Sequence, residues 1–271
     1  RVFAHPPPGV RKVVLATNIA ETSITVDDCA YVIDCARMKE VRFDAARRME
    51  SLEDVPVTRA NAKQRRGRAG RVRPGVAFHL LTSHAHDALA LPAQPPEVHR
   101  VPLERLVLTV KALGYVPPVA DVISHLLEPP PVPAVRRAVR ELELLDALEC
   151  DASGGEELTP LGAHLAALPI DARLGKFILL GAVFDVVDEA LTIAATLSSR
   201  SPFLSPFDKR ELADAAKRAF AIGQSDHLTT LHAYTAYDSL PQSERYDFAR
   251  QHFLGVKSLQ TIGGLKRQLL E

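Results

Sequence analysis

The segment from Gln64 to Arg71 constrains this chain more than any other stretch of its sequence. It reads Gln-Arg-Arg-Gly-Arg-Ala-Gly-Arg, so it combines dense guanidinium groups with glycines that a helix tolerates poorly. Seven basic residues and no acidic residue lie between positions 59 and 73, whereas the whole chain balances 33 basic against 33 acidic residues. Such a local excess of positive charge predicts a local anionic target, which we expect to be phosphate.

Helical spacing would bring three side chains of this segment together. In a helix, Gln64, Arg68 and Arg71 stand at i, i+4 and i+7 and share one face. Gly67 and Gly70 each cost a helix about 1 kcal/mol relative to alanine, and close approach of a ligand or another backbone would account for them. The alternative is an ordinary solvated basic helix. A second pattern, earlier in the chain, favours phosphate binding.

That second pattern is an apolar run followed by a polar loop. Residues 12–16 have the β-branched, apolar character of a buried parallel strand, and residues 17–23 carry hydroxyl and amide side chains. Open α/β sheets place their ligands at the carboxyl ends of strands, where Thr and Asn can donate to phosphate oxygens. Residues 31–35 and 76–81 are further apolar runs. About the first 85 residues therefore predict part of an α/β sheet.

These motifs give the chain a specific resemblance. Residues 17–23 match motif V, and residues 64–71 match motif VI without a mismatch, of the DEAH-box (DExH) RNA helicases of superfamily 2. The likeness continues through residues 37–44, 49–52, 158–162 and 201–203 and covers nearly the whole chain. The chain resembles the C-terminal half of such a helicase. Its Pro-Pro-Gly-Val-Arg-Lys and Ser-Pro-Phe elements resemble the subgroup that contains RNA helicase A and the G-quadruplex-resolving helicases.

The resemblance implies three domains. We expect residues 1–90 to form the C-terminal part of a second RecA-like α/β domain, residues 91–168 a winged helix, and residues 169–271 an all-α ratchet (HA2) bundle that is truncated before an OB-fold. The stretch near residues 37–43 would be a β-hairpin close to the duplex junction. The residues agree with this order, because a proline-rich linker, two helical patterns, a Gly-Gly turn and a Thr-Pro helix start follow one another.

The resemblance assigns the nucleotide phosphates to motif VI. Arg68 and Arg71 would be arginine fingers on the γ-phosphate. Gln64 would contact the same phosphate or position the attacking water, and Gly67 would belong to the nucleotide-binding surface.

The remaining assignments concern the base, the ribose and RNA. Phe3 would stack on the base, Thr25 and Asp27 would contact the ribose, and Thr17 and Asn18 would hold the RNA backbone.

Cofactors and partners follow from the same resemblance. ATP or another nucleoside triphosphate would bind with Mg²⁺, held mainly by a first RecA-like domain in cis, because this chain has no Gly-x-x-x-x-Gly-Lys-Ser/Thr loop. We expect the chain alone to be inactive. RNA would be the partner, as a single strand in a channel and as a duplex or quadruplex substrate, and activating proteins form a further class. Hydrolysis would drive 3′-to-5′ translocation and RNA remodelling. The alternative is a non-catalytic RNA- or protein-binding scaffold, and a DNA helicase is a subsidiary option, because backbone contacts from Thr17 and Asn18 would not by themselves reject DNA.

Other features have ordinary structural explanations. His84 and His86 have a spacing that a metal could use, but no third ligand is nearby, so we expect no metal site. Residues 177–197 are apolar but contain acidic side chains, which disfavours a membrane span. Three cysteines without a Cys-x-x-Cys pair favour a reducing compartment, either cytoplasmic or nuclear.

Two expectations concern the helical region. Residues 188–191 echo the acidic motif of the helicase family, but the spacing of the apolar residues around them predicts the exposed edge of a packed helix. Five aromatic residues are expected in the core rather than in nucleic-acid stacking: Tyr234, Tyr237, Tyr246, Phe248 and Phe253.

Overall fold

The computed structural model describes residues 2–22, 25–44, 49–151 and 154–271, and the chain divides into two compact units. The first unit comprises the residues up to Pro102 together with Leu127–Pro131. The second unit comprises Leu103–Leu126 and Val132–Glu271. Both polar motifs of the sequence therefore belong to the first unit.

The first unit has the mixed α/β character that the sequence predicts. Its elements are a 3₁₀ turn (Asn18–Glu21), β1 (Tyr31–Asp34), β2 (Arg37–Asp44), β3 (Met49–Pro56), α1 (Arg59–Ala69), β4 (Val76–His79), a π-helical turn (Ala85–Leu89) and a 3₁₀ turn (Glu97–His99). Strands β1 and β4 pair in parallel, as expected for neighbouring strands joined by a crossover helix.

The two faces of this parallel pair have different environments. Side chains alternate along a strand, and Asp34 and His79 lie on the face that packs against α1. Tyr31, Ile33 and Phe78 lie on the opposite face and are exposed. An apolar sheet face of this kind remains uncovered within the described residues.

The predicted strand at residues 12–16 is wrong. These residues form no β-strand, and Val13 and Leu15 are 76% and 94% exposed. A strand is stable only when a neighbour satisfies its backbone groups, and no described residue pairs with this run. Lys12 instead reaches the carbonyls of Val2 and Ala4, so side-chain contacts hold the segment.

Strands β2 and β3 form the predicted hairpin. They pair antiparallel, beginning with Arg37 opposite Pro56. The next pair, Met38 opposite Val55, is buried and packs with Ala62 of α1. This packing fixes the base of the hairpin to the helix that carries the basic segment.

A buried carboxylate also anchors the hairpin. Glu40 of β2 accepts hydrogen bonds from Arg42 Nε (3.0 Å) and Gln94 Nε2 (2.9 Å), and Arg100 lies 3.7 Å away. Burial alone would raise the pKa of Glu40, but these hydrogen bonds and charges outweigh it and hold that pKa below its ordinary value.

The second unit begins with a winged-helix arrangement. Its elements are α2 (Glu104–Ala112), α3 (Val119–Ser124), α4 (Val132–Leu144), β5 (Leu148–Cys150) and β6 (Glu156–Leu158), with β5 and β6 antiparallel. Val107, Leu142 and Leu148 are completely or almost completely buried between these elements. The sequence predicted α2 and α4 but not α3, whose six residues are too few for a periodic pattern.

The rest of the second unit is helical. Its helices are α5 (Pro160–Ala167), α6 (Ala172–Val183), α7 (Val187–Leu197), α8 (Arg210–Ala219), α9 (Asp226–Asp238), α10 (Gln242–Gln251) and α11 (Val256–Leu270), with a 3₁₀ turn at Phe207–Lys209. The predicted start of α5 is confirmed, because Thr159 Oγ1 accepts a hydrogen bond from the Gly162 amide (2.9 Å) ahead of Pro160.

The aromatic predictions are mostly confirmed. Tyr234 and Tyr237 are buried, and Phe248 and Phe253 are half-buried. Tyr246 is 64% exposed, so its placement in the core was wrong. Its helix, α10, is polar on most sides and buries mainly Ala249.

The acidic start of α7 is the predicted exposed edge. Asp188 and Glu189 are exposed in the first turn of the helix, and Asp188 pairs with Lys266 of α11 at 2.7 Å. Across the described residues, no helix combines the length and apolarity needed to cross a membrane.

Candidate nucleotide and RNA site

Helix α1 carries the basic segment and begins at a fully formed capping box. Thr58 Oγ1 accepts a hydrogen bond from the Asn61 amide (3.2 Å), and the Asn61 side chain accepts one from the Thr58 amide (3.3 Å). The Arg59 amide donates to the Leu91 carbonyl (2.9 Å). These bonds satisfy the first turn and fix the position at which the helix begins.

The helix ends before the last arginine of the motif. Ala69 is its final residue, Gly70 is the C-cap, and Arg71 lies beyond it. The expectation that Gln64, Arg68 and Arg71 share one helical face is therefore wrong for Arg71. Gly70 has a φ of -102°, which does not require glycine, and a side chain there would meet nothing within 4 Å. A side chain at Gly67 would meet nothing within 4 Å, so no part of the described chain explains that glycine.

Arg65 is the centre of the polar network around α1. Its Nε and Nη2 atoms each lie 2.7 Å from Glu21 Oε1, and its Nη1 atom lies 2.6 Å from Asp34 Oδ1. Nη1 also donates to the Arg37 carbonyl at 3.1 Å. One guanidinium therefore joins the polar loop, the end of β1 and the start of the hairpin.

Asp34 is the most enclosed member of this network. Its carboxylate accepts hydrogen bonds from Arg65 and from the Ala36 amide (2.9 Å), and its Oδ2 atom lies 2.9 Å from His79 Nδ1. Burial alone would raise the pKa of Asp34, but the bonds from Arg65, Ala36 and His79 outweigh it and hold that pKa below its ordinary value. The same ion pairs raise the pKa of Arg65, against the opposing effect of its burial.

Glu21 ties the polar loop to α1 at three places. Its Oε1 atom binds Arg65, its Oε2 atom accepts from Asn61 Nδ2 (2.8 Å), and its backbone carbonyl accepts from Arg68 Nη2. Arg68 is half-buried as a result. These contacts join the loop directly to the basic helix.

The other predicted site residues lie at the surface. Gln64 and Arg71 are exposed, as are Thr17 and Asn18 at the start of the 3₁₀ turn. Ser23, the last residue of the predicted polar loop, lies outside the described residues.

One lysine connects the segment that carries Phe3 to the residue that follows Thr25 and Asp27. Lys12 donates to the carbonyls of Val2 and Ala4 on either side of Phe3, and it pairs with Asp28 Oδ1 at 2.6 Å. Its hydrogen bond holds the pKa of Asp28 below its ordinary value. Phe3 is 70% exposed.

Thr25 and Asp27 precede this Asp28 anchor. Thr25 is half-buried and Asp27 is exposed. Their backbone is also held by Arg73, whose Nη2 donates to the Asp28 carbonyl at 2.9 Å.

Sequence reasoning missed the residues that organise this region: Glu21, Asp34, Asn61, Arg65 and His79. Arg65 was predicted to be one of the cations that bind an external anion, but it forms ion pairs with Glu21 and Asp34 of the chain itself. A usable signal was present, because Asp34 and Glu21 are acidic residues at the end of an apolar run and in a polar loop, and a basic helix that follows them in sequence can supply their partners.

Metal ligands are not assembled in the part of the chain that the structure describes. No group of three or more His, Cys, Asp or Glu side chains there has the arrangement of a metal site. His86, one of the two histidines considered above, lies 2.6 Å from Asp87 through its Nδ1 atom.

Three family models match successive segments of the chain. They are the helicase conserved C-terminal domain at residues 1–73, the winged-helix part of the helicase-associated domain (HA2) at residues 138–170, and the ratchet-like part of that domain at residues 171–230. Together with the parallel strands, the winged helix and the helical region, these matches make the chain similar to the C-terminal portion of helicases.

Comparison with individual relatives narrows the class. The putative ATP-dependent RNA helicase DHX57 of Mus musculus is 50% identical over 275 residues, which is 100% of this chain and 20% of the relative. The ATP-dependent DNA/RNA helicase DHX36 of Homo sapiens is 44% identical over 100% of this chain and 27% of its own length. DExH3 of Arabidopsis thaliana, a DExH-box ATP-dependent RNA helicase, is 42% identical over 98% of the chain and 22% of its own length.

The chain is similar to DExH-box ATP-dependent RNA helicases over nearly its whole length, as its resemblance indicated. It spans about a fifth to a quarter of the length of these curated relatives.

Proposed function

We propose that this chain is the C-terminal portion of an ATP-dependent RNA helicase that couples nucleoside triphosphate hydrolysis to 3′-to-5′ translocation on RNA. The observation that supports this most strongly is the contact of Glu21 with both Arg65 and Arg68. It joins the loop proposed to bind RNA to the helix proposed to bind nucleotide. Binding at either place can therefore move the other.

Arg68 and Arg71 act as arginine fingers in this proposal. An arginine finger contributes about 10³ to 10⁵ in rate, or roughly 4 to 7 kcal/mol of barrier at 1.36 kcal/mol per decade. The bond from Arg68 to the Glu21 carbonyl orients its guanidinium in advance, whereas Arg71 lies past the helix end on an exposed segment. Gln64 contacts the γ-phosphate or positions water, and the open surface at Gly67 admits a phosphate.

The nucleoside lies between two segments that Lys12 connects. Phe3 offers its exposed ring to stack on the base without reading its edge, which permits several bases. Thr25 and Asp27 contact the ribose. ATP is the proposed nucleotide, and Mg²⁺ is held mainly by residues of another domain.

RNA contacts come from the loop that Glu21 anchors. Thr17 and Asn18 are exposed and carry hydroxyl and amide groups that donate to phosphate oxygens without sequence preference. The hairpin of β2 and β3 lies near the duplex junction in this proposal, and its connection to Arg65 links it to the same network.

The three segments divide the work of a longer parent protein. We assign residues 1–90 to the second RecA-like domain, residues 91–168 to the winged helix and residues 169–271 to the ratchet. A first RecA-like domain in cis supplies the phosphate-binding lysine loop, and further residues of the parent cover the exposed face of β1 and β4. The chain alone is therefore expected to be inactive, and its parent acts in the cytoplasm or the nucleus.

A strand-separation experiment tests this function. The parent protein is expected to separate an RNA duplex with a 3′ single-stranded tail in the presence of ATP, and to act far more weakly on the matched duplex with a 5′ tail. Equal action on both tails would contradict the direction of translocation. RNA binding without ATP-dependent separation of either duplex would favour the non-catalytic scaffold.

A further inference from the structure

Helix α1 carries a second row of cations that the proposed nucleotide site does not use. Arg59, Lys63 and Arg66 stand at i, i+4 and i+7, so they share one face, and all three are exposed. In the part of the chain that the structure describes, no carboxylate forms an ion pair with any of them. Arg65, between two of them in sequence, is by contrast paired with Glu21 and Asp34.

These three cations line a groove of about 420 Å³ in the first unit. Thr82, Ser83 and His86 form the opposite wall, in the segment that follows β4. Hydroxyl and imidazole groups donate hydrogen bonds to phosphate oxygens. The groove therefore combines permanent positive charge with hydroxyl and imidazole hydrogen-bonding groups.

The charge balance of this groove favours an anion. Asp87 is its one acidic lining residue among those described, and its carboxylate is already engaged by His86 at 2.6 Å. The lining also includes the apolar side chains of Ala62 and Leu81 and the imidazole rings of His79 and His86. Among the described lining residues there is no Phe, Tyr or Trp side chain, so the groove suits the phosphate backbone of a strand better than a row of stacked bases.

The geometry also favours a strand over a single ion. Arg66 lies seven positions after Arg59, which corresponds to about 10 Å along a helix that rises about 1.5 Å per residue. One phosphate cannot contact charges spread over that length, whereas successive phosphates of a nucleic-acid strand can. Phosphate contacts of this kind bind without sequence preference and respond strongly to salt.

We propose that Arg59, Lys63 and Arg66, together with the wall formed by Thr82 and Ser83, constitute a second RNA-binding surface that grips the phosphate backbone of a single strand. It is separate from Thr17 and Asn18 and from the residues proposed to hold nucleotide. It does not depend on hydrolysis.

Binding of labelled RNA to the 271-residue chain tests this surface. The variant with Arg59→Gln, Lys63→Gln and Arg66→Gln removes three charges but keeps residues that favour helices. Its matched control removes three exposed arginines from α4 of the second unit: Arg136→Gln, Arg137→Gln and Arg140→Gln. Fluorescence anisotropy with oligouridylate, between about 50 and 200 mM salt, gives the affinity and its salt dependence.

The α1 variant is expected to bind RNA about tenfold or more weakly, and the slope of log affinity against log salt should fall by about 2, since each lost contact removes about 0.7 for a single strand. The control should keep the wild-type slope. Equal slopes for the wild type and the α1 variant would overturn the proposal. If the α1 variant unfolds, as judged by circular dichroism, the single variants Lys63→Ala and Arg66→Ala decide, each with an expected slope change of about 0.7.

Competition identifies the source of the phosphate. Inorganic phosphate is expected to displace RNA only at concentrations where it acts as bulk salt, and polyglutamate should not compete. Displacement of RNA by low concentrations of inorganic phosphate would overturn the strand assignment in favour of a single-ion site. If the wild type binds polyglutamate and the α1 variant loses both polyglutamate binding and RNA binding, the RNA assignment would be overturned in favour of an acidic protein partner.

Discussion

The two units of this molecule are stabilised in different ways. The second unit encloses apolar cores of its own, in which Leu142, Leu259 and Ile262 have no exposed surface. The first unit leaves Tyr31 and Ile33 exposed on its sheet, has a small apolar cluster around Met38 and Val55, and joins buried carboxylates through Arg65. Apolar packing tolerates small shifts of the side chains, whereas charge-assisted hydrogen bonds fix the orientation of the groups that form them. The charged unit is therefore the one suited to position reacting groups.

The largest effect is expected from breaking the charged network. Arg65→Ala leaves the buried carboxylates of Glu21 and Asp34 without their guanidinium, and an uncompensated buried charge costs about 3–5 kcal/mol. Hydrogen exchange should show the loss of protection in β1 and β4, with the second unit unchanged. The control is Arg66→Ala, next in sequence but exposed, with an expected change within about 0.5 kcal/mol. Similar losses in both variants would mean that the network does not hold the first unit together.

An apolar deletion should produce the complementary result in the second unit. Leu142→Ala removes a side chain with no exposed surface and should cost about 2–5 kcal/mol, since it leaves a cavity. Leu144→Ala, on the same helix but 68% exposed, is the matched control and should change the free energy of unfolding by less than about 0.5 kcal/mol. Urea unfolding monitored in each unit would show whether the loss stays in the second unit. A loss of similar size in the first unit would weaken the contrast between the two.

Acid should affect the first unit before the second. The depressed pKa values of Asp34 and Glu40 mean that the unfolded chain binds their protons more readily than the folded chain does. The stability they contribute is complete above their ordinary pKa values, 3.8 and 4.5, and is lost as pH falls through the lower folded values. Asp34→Asn should flatten this acid dependence in β1 and β4. An unaltered pH profile in that variant would contradict the assignment to Asp34.

The smallest expected effect on folding comes from substituting Gly67, and this substitution distinguishes a role in helix stability from a role in nucleotide binding. A Cβ atom added at position 67 would meet nothing within 4 Å, so Gly67→Ala should stabilise α1 by about 0.5–1 kcal/mol. If a nucleotide phosphate approaches this backbone, the same variant raises the KM for ATP in the parent protein. Thermal unfolding and steady-state kinetics measure the two quantities. Added stability with unchanged KM would remove Gly67 from the nucleotide site.

Much of the fold could be predicted from the sequence because local signals and tertiary packing agree. The helices of the second unit follow from apolar periodicity and from the Thr159-Pro160 start, and β1 and β4 follow from short apolar runs. Residues 12–16 have the same apolar character but form no strand, because a strand depends on a partner that local sequence does not specify. The prediction that Tyr246 lies in the core was wrong for a similar reason, because the side of the helix that is buried depends on the other residues of that helix.

The candidate site was predictable in position but not in its internal contacts. Motif matching located Gln64, Arg68 and Arg71, yet it could not show that the helix ends at Ala69. It also could not distinguish cations that the protein neutralises from cations left for a ligand. Arg65 and Arg66 are neighbours of the same charge, and the carboxylates that separate their roles lie 31 and 44 residues away from Arg65 in the chain.

The most direct test of the central claim is RNA-stimulated ATP hydrolysis by the parent protein, comparing the wild type with Arg68→Ala and Arg71→Ala at one salt concentration. Arg137→Ala, exposed on α4, is the control. We expect kcat to fall by about a hundredfold or more in both finger variants, with RNA binding and the control unchanged. Arg68→Lys should not restore the rate, because lysine lacks the planar two-point contact. Equal rates in all variants, or no hydrolysis by the wild type, would contradict the assignment of arginine fingers to this chain.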